Sequence, residues 1–292
     1  MKLPKLTNKQ QEIIELLYTY RFLNRIQIQQ LMGHKDKKTI NLWLRDLKAK
    51  EYIEWIYDPN DFALKTKPAI YYFALNGVRF LKTVQATDGS AWYPIDDVRK
   101  RYREASRSQT FVDHCMLVAD CCITLNTYGN APNSSTNTSK RVKTYTFVSI
   151  VDYSHPSSDK HFLAESELIQ PDLCFTKHER KKVDGKMTDT ITNYLLEVFD
   201  ASMPRYRIKK RLTNYVNYLQ DGEWEGETDY DTPPIVLLVC PRTTDLIYAK
   251  RRTRGLLAEQ WDSDDEDRPH MRFTTIEKLR KSSVLGDIWE KA

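Results

Sequence analysis

The chain has 292 residues, 40% of them hydrophobic and 29% charged, with a formal net charge of +5. Such a composition argues for globular cores and excludes a membrane protein, because no apolar run approaches the roughly 18 residues of a span. Met1 to Leu6 lacks the apolar stretch of a secretory signal, so a cytoplasmic protein without a membrane partner is expected. The five cysteines, Cys115, Cys121, Cys122, Cys174 and Cys240, are odd in number and show no paired C-x-x-C spacing, which reads as reduced core thiols. The length suits two cores, of about 80 and about 180 residues.

Thr7 with Gln10 three residues on forms a capping box, and Ile13, Ile14, Leu16, Leu17 and Tyr20 supply the buried stripe of the helix it opens. Asn24 with Gln27 repeats the device for a shorter helix that Gly33 stops. Asp36 then caps a third helix, DKKTINLWLRDLKAK, in which Ile40, Trp43, Leu44 and Leu47 share one face. Lys38, Asn41, Leu42, Arg45 and Lys48 line the other, with Lys37 at the start. Cations and an amide facing outward are what a major groove needs, Arg and Lys reaching guanine or phosphate and Asn reaching adenine. After Lys50 the period falls towards 2 in residues 52–57 and again in 69–75, which reads as two strands. The tip between them carries Lys65 and Lys67. A segment from Gly77 closes the domain. Helix, helix, recognition helix, strand, wing, strand, helix is the order of a winged helix-turn-helix. Residues 1–82 hold fifteen Lys or Arg against eight Asp or Glu, a net +7, so the positive excess sits wholly in this domain, as attraction to double-stranded DNA requires.

Residues 83–110 read as a linker whose charged part, DDVRKRYREASRSQ, is either a solvated connecting helix or a second basic surface. Phe111 to Leu125 is an apolar helix carrying Asp113 and His114, and 129–140 a flexible loop. Strands are expected at Val142–Tyr153, Glu167–Thr176 and Thr188–Phe199, a cationic helix at Pro204–Leu219, a buried strand at Ile235–Cys240, a helix from Thr243 to about Gln260 and a short strand at Met271–Thr275. Residues 111–292 therefore form an α/β domain with a mixed central sheet, and the chain as a whole is α+β. Within it, Asp172 follows Pro171 at the second strand and Glu197 lies near the end of the third. Adjacent strands would bring these carboxylates together, with Glu165 or Glu167 as a further oxygen ligand and Lys209 or Lys210 leaning in from the next helix. Grouped carboxylates bind Mg²⁺, which activates water and stabilises a phosphate oxyanion. His114 is either a hydrogen-bonded structural residue or a catalytic one.

The chain resembles the replication-relaxation family of plasmids and integrative elements. The resemblance rests on LTNKQQEIIELLYTYRFLNRIQIQQLMG at 6–33, the recognition helix running into EYIEW, YYFALNGVRFL at 71–81, His114 in an apolar helix, PD at 171–172 and LLEVFDASMPRYRIKKRLTNYVNYL at 195–219. It implies a winged helix followed by a restriction-endonuclease-like domain, and a DNA-binding role in plasmid replication, relaxation or transfer, with replication or transfer proteins and a second copy of the chain as partners. It also implies an Asp two residues after Glu197, whereas Phe199 stands there and Asp200 is one residue late, pointing to the other face of a regular strand. The restriction-enzyme pattern expects a Lys at that same place. The resemblance thus leaves open a Mg²⁺-dependent endonuclease or nickase and a catalytically impaired fold kept for binding. A winged-helix transcription repressor whose second domain dimerises or senses a ligand fits the same order of elements.

Overall fold

Both capping boxes form. The Thr7 hydroxyl accepts from the Gln10 amide while the Gln10 side chain accepts from the Thr7 N–H, opening α1 (Asn8–Tyr20), and Asn24 and Gln27 do the same for α2 (Arg25–Leu31). Gly33, at φ 59°, makes the left-handed turn that a side chain would resist, and Asp36 accepts from the N–H groups of Lys38 and Thr39 to start α3 (Lys37–Ala49). The chain then forms β2 (Ile53–Ile56), β3 (Ile70–Phe73) and α4 (Leu75–Leu81). A two-residue strand β1 (Leu23–Asn24) pairs with β3, giving an antiparallel sheet of order β1-β3-β2. This is the winged helix-turn-helix, with Ile13, Ile14, Leu17, Ile28, Ile40, Leu44 and Leu47 essentially sealed in its core.

The computed structural model describes residues 3–57, 60, 66–85, 92–93, 98–99, 101–129, 142–149, 169, 171–183, 186–222, 224–225, 232–262 and 268–292. Two compact units divide the chain, the first running from the amino terminus through Ile123 and the second taking most of the remainder. The long helix α5 (Gln109–Gly129) thus gives its first part to the winged-helix unit, although the sequence reading drew its boundaries at 82/83 and 110/111. Apolar contact is the cause: Val112 and Cys115 bury against Phe22, with Ile56, Ile70, Tyr72, Phe111 and Met116 packed around them. Gln27 also donates to the Met116 carbonyl at 3.0 Å and to Asp120 at 2.7 Å.

The charged stretch before α5 is not the wholly solvated connecting helix that was one of its two expected forms. Residues Arg101–Ser106 form a 3-10 turn in which Arg101 and Glu104 are buried. Glu104 accepts from Arg21 at 2.7 Å, and the Arg101 guanidinium donates to the Tyr18 carbonyl. Arg21 sits at φ 67° as the C-cap of α1, and this ion pair holds a side chain in a backbone region that normally selects glycine.

The second unit is built on a six-stranded mixed sheet of order β4-β5-β6-β7-β8-β9. β4 (Val142–Ser149), β5 (Leu173–Val183) and β6 (Lys186–Val198) run antiparallel; β7 (Ile235–Cys240) and β8 (Met271–Thr275) join β6 in parallel, and β9 (Glu290–Lys291) pairs back on β8. The parallel steps need crossovers, supplied by α6 (Arg205–Gln220) and α7 (Thr243–Ala258), while α8 (Ile276–Lys281) follows β8. β7 is buried along its whole length, as a strand covered on both faces must be. All five cysteines are free and buried. Among the described residues no helix is long and apolar enough to cross a membrane. The loop expected at 129–140 falls outside the described residues except for Gly129.

Candidate functional site

In the first unit, α3 turns Ile40, Leu44 and Leu47 inward and leaves Lys37, Lys38 and Arg45 exposed, with Asn41 half-buried beside them. Its orientation is fixed by Asp46, which accepts from Gln10 of α1 at 2.5 Å and from Lys50 at 2.6 Å. These two hydrogen bonds hold the Asp46 carboxyl below its ordinary range. Asp36 is likewise depressed, first by the Thr39 hydroxyl and then by the amides it caps. Lys48 behaves differently from its neighbours. It is half-buried, ion-paired with Glu54 of β2, and lies over the Trp55 ring at 4.8 Å, so its charge is largely answered within the protein. Lys67 is exposed before β3, and Lys65 lies outside the described residues. Arg25 of α2 approaches the same side: burial raises the Tyr71 hydroxyl, and Arg25 and Arg45 both act against that rise. Arg25 and Trp55 were not anticipated; each becomes visible only when β1 and β2 flank β3.

In the second unit, the β5–β6 register pairs Leu173 with Leu196, and the next step along it sets Asp172 opposite Glu197 on one face of the sheet. The two carboxylates take different partners there. Asp172 accepts from the Val198 amide at 2.7 Å through Oδ2, and its own amide donates to the Leu196 carbonyl. Glu197 is 3% exposed, and its Oε1 accepts from Arg211 of α6 at 2.9 Å. Tyr215, one helical turn beyond Arg211, is fully buried against the same group. Burial, then the proximity of Glu197, and more weakly Asp172, hold its hydroxyl protonated, with Arg211 acting the other way.

The cation at this site is thus Arg211. Lys209 and Lys210, proposed for that role from sequence, are exposed on α6, because the helix buries Ile208, Leu212 and Tyr215 and those lysines fall outside that arc. Phe199 is sealed in the core and its amide donates to the Val239 carbonyl. Asp200 accepts from the amide and hydroxyl of Ser202 at 2.7 Å, in the turn before α6. His114 belongs to the first unit, half-buried on α5. Glu165 and Glu167 lie outside the described residues.

Among the described residues the donor set for a divalent ion is incomplete. One oxygen of each carboxylate is already engaged, a guanidinium stands where a metal would balance Glu197, and among the described residues no three His, Cys, Asp or Glu gather as ligands. What the arrangement does instead is neutralise a buried carboxylate and tie the ends of β5 and β6 to α6.

A model of the family described as replication-relaxation matches residues 14–231, well over half the chain and including parts of both units. Among solved structures, the chain is similar to one described as the crystal structure of T. acidophilum IdeR. That likeness has 17% identity, covers 64% of this chain and 93% of the other, and has a TM-score of 0.22, too low to carry an argument. No curated protein matches.

Proposed function

The chain belongs to the replication-relaxation family, and from that premise we propose that it is a DNA-binding protein of a plasmid or mobile element, acting in replication, relaxation or transfer of plasmid DNA. Membership itself points to a role related to replication or relaxation. The observation that carries the DNA-binding part is α3, which exposes Lys37, Lys38 and Arg45 on the side opposite its sealed apolar stripe. A helix so divided offers side chains to base edges and phosphates without disturbing the core that supports it. Arg45 is the base-reading residue in this reading, Asn41 its neighbour, and Lys37, Lys38, Lys65 and Lys67 contact the backbone. Lys48, already paired, positions Trp55 and Glu54 more than it binds DNA.

Fluorescence anisotropy on the full-length protein tests this. Arg45→Ala should weaken binding to a selected sequence more than to random duplex, since base contacts discriminate and phosphate contacts do not. Lys37→Ala with Lys38→Ala should weaken both alike and flatten the log–log salt dependence by about 1.8, at roughly 0.9 per phosphate. Wild-type affinity in all three variants would overturn the assignment of α3.

For the second unit we infer a nuclease-like fold that does not cut. Phe199 offers neither acid nor base, and Arg211 occupies Glu197. Supercoiled plasmid incubated with Mg²⁺ should stay supercoiled; rapid nicking that vanishes in Asp172→Asn and Glu197→Gln would refute this.

A further inference from the structure

The end of the mixed sheet far from Asp172 and Glu197 carries a second feature. Val198 and Val239 pair at the carboxylate end of the parallel strands, whereas Val236 pairs with Met271 at the other, and beside Met271 opens a cleft of about 370 Å³. Five basic side chains line it: Arg254 of α7, Arg268 and His270 on the approach to β8, Arg272 of β8 and Lys291 of β9. Among the described residues no Asp or Glu lines it; Leu257, Pro269, Met271 and Ala292 complete the wall.

Several other cations of this unit are paired: Lys250 and Lys278 share Glu290 at 2.9 and 2.7 Å, Lys281 takes Glu277, and Arg242 takes Asp245. None of the five cleft residues has a side-chain hydrogen bond or ion pair among the described residues. The three arginines and Lys291, gathered with no Asp or Glu between them among the described residues, repel one another, and an anion in the cleft relieves that cost. The same field is felt by His270, whose imidazole is pushed below its ordinary value first by burial and then by Arg272 and Lys291.

We propose that this cleft holds the phosphodiester backbone of duplex DNA, as a contact additional to the winged helix. The inference rests on the DNA-binding reading above. Guanidinium groups meet phosphate oxygens with two parallel N–H donors, and three arginines around one cleft suit successive phosphates better than a single small anion. Backbone contacts carry no sequence information, so the cleft adds affinity and leaves the choice of site to α3. Because both contacts reside in one chain, the second is made at the high effective concentration set by the first.

The test uses the full-length protein, the variant Arg254→Glu/Arg268→Glu and its milder counterpart Arg254→Gln/Arg268→Gln. Each is measured on a duplex of about 15 base pairs, matching a single winged helix, and on one of about 45 carrying the same site. The wild type should bind the long duplex at least about tenfold more tightly, with a salt slope steeper by about 2, at roughly 0.9 per phosphate. Both variants should lose that advantage while keeping wild-type affinity for the short duplex and an unchanged melting temperature. A variant that keeps the long-duplex advantage overturns the proposal; that is also the result expected if the acidic run at 262–267, adjacent to Arg268 in sequence, neutralises the cleft. No binding of wild type to either duplex would sink the winged-helix reading and this inference with it, a distinct signature. A saturable rise in melting temperature with inorganic pyrophosphate, absent from variants that still prefer the long duplex, would reassign the cleft to a free phosphate compound and overturn the DNA assignment.

Discussion

Replacing Arg211 by Met keeps the length and apolar stem of the side chain and removes only its charge. Glu197 would then be left 3% exposed with its principal counter-charge gone. Stranding one member of a fully buried pair costs about 3–5 kcal/mol. The Arg211 side chain is 23% exposed, so water reaches part of the site and the expected loss falls to about 2–3 kcal/mol. For a unit of this size that corresponds to a fall in melting temperature of about 5–10 °C, at roughly 2–4 °C per kcal/mol. Differential scanning calorimetry should place the loss in one unit's transition, and Arg211→Met/Glu197→Gln should recover most of it, because no uncompensated charge remains. The same variant reports on metal. With the guanidinium gone, Mn²⁺ at millimolar concentration should raise the melting temperature of Arg211→Met by mass action and leave the wild type unchanged. A single variant within about 1 °C of wild type would refute the claim that Arg211 compensates a buried charge. A wild-type gain from Mn²⁺ equal to the variant's would refute the claim that the guanidinium stands in for a metal.

Gly77→Ala should destabilise the first unit by at least about 1–3 kcal/mol despite the helix preference of Ala, because its Cβ would lie 2.3 Å from the Tyr52 carbonyl and 2.6 Å from Phe73; a wild-type urea midpoint would show that the chain yields there without strain. Residues 1–82 alone should be far more protease-sensitive than 1–129, since they lack the α5 residues that cover Phe22, Ile70 and Tyr72 and the Glu104 carboxylate that holds Arg21; equal resistance would detach α5 from this unit. His270 should titrate below its ordinary 6.5. A base with a depressed folded pKa binds fewer protons than the unfolded chain, so its contribution to stability is complete above pH 6.5 and falls as the pH drops from 6.5 towards the folded value. An NMR midpoint at or above 6.5 would contradict the cationic surroundings of the ring.

Local signals carried the reading of the first unit well. Two capping boxes, the Asp36 cap and an apolar stripe of helical period each depend on residues within four positions of one another, and all formed as read. Lys48 was read from its helix face alone, and its ion pair with Glu54 left no local trace because that partner arrives only when β2 folds back. The ion pair of Arg21 with Glu104 spans 83 residues and leaves no local trace. In the second unit, β5 was expected to end at Thr176 but runs to Val183. Its outer half, KHERKKV, has no apolar alternation to announce a strand, yet Val183 pairs with Lys186 across Asp184-Gly185, a dipeptide typical of tight hairpins. The adjacency of the strands that carry Asp172 and Glu197 was legible from their apolar runs. Arg211 was missed among the five cations of α6, although its spacing from Ile208 and Tyr215 sets it on the buried arc and would have singled it out.

The sheet of the second unit also dictates an order of assembly. β5 and β6 pair antiparallel with only two residues between them, so this hairpin closes with little loss of chain entropy, whereas β4 joins β5 across a much longer connection. β7 must wait for α6 and its following loop to be synthesised before it can pair in parallel, a slower, less local step. On the ribosome, β6 therefore spends an interval as a bare edge, the kind of surface that recruits other nascent chains. The charges that hid the outer half of β5 from a reader of the sequence are then an asset, since a hairpin arm written KHERKK is a poor template for a stranger's strand. Neutralising that arm should leave the finished fold nearly as stable and lower the yield of protein that reaches it.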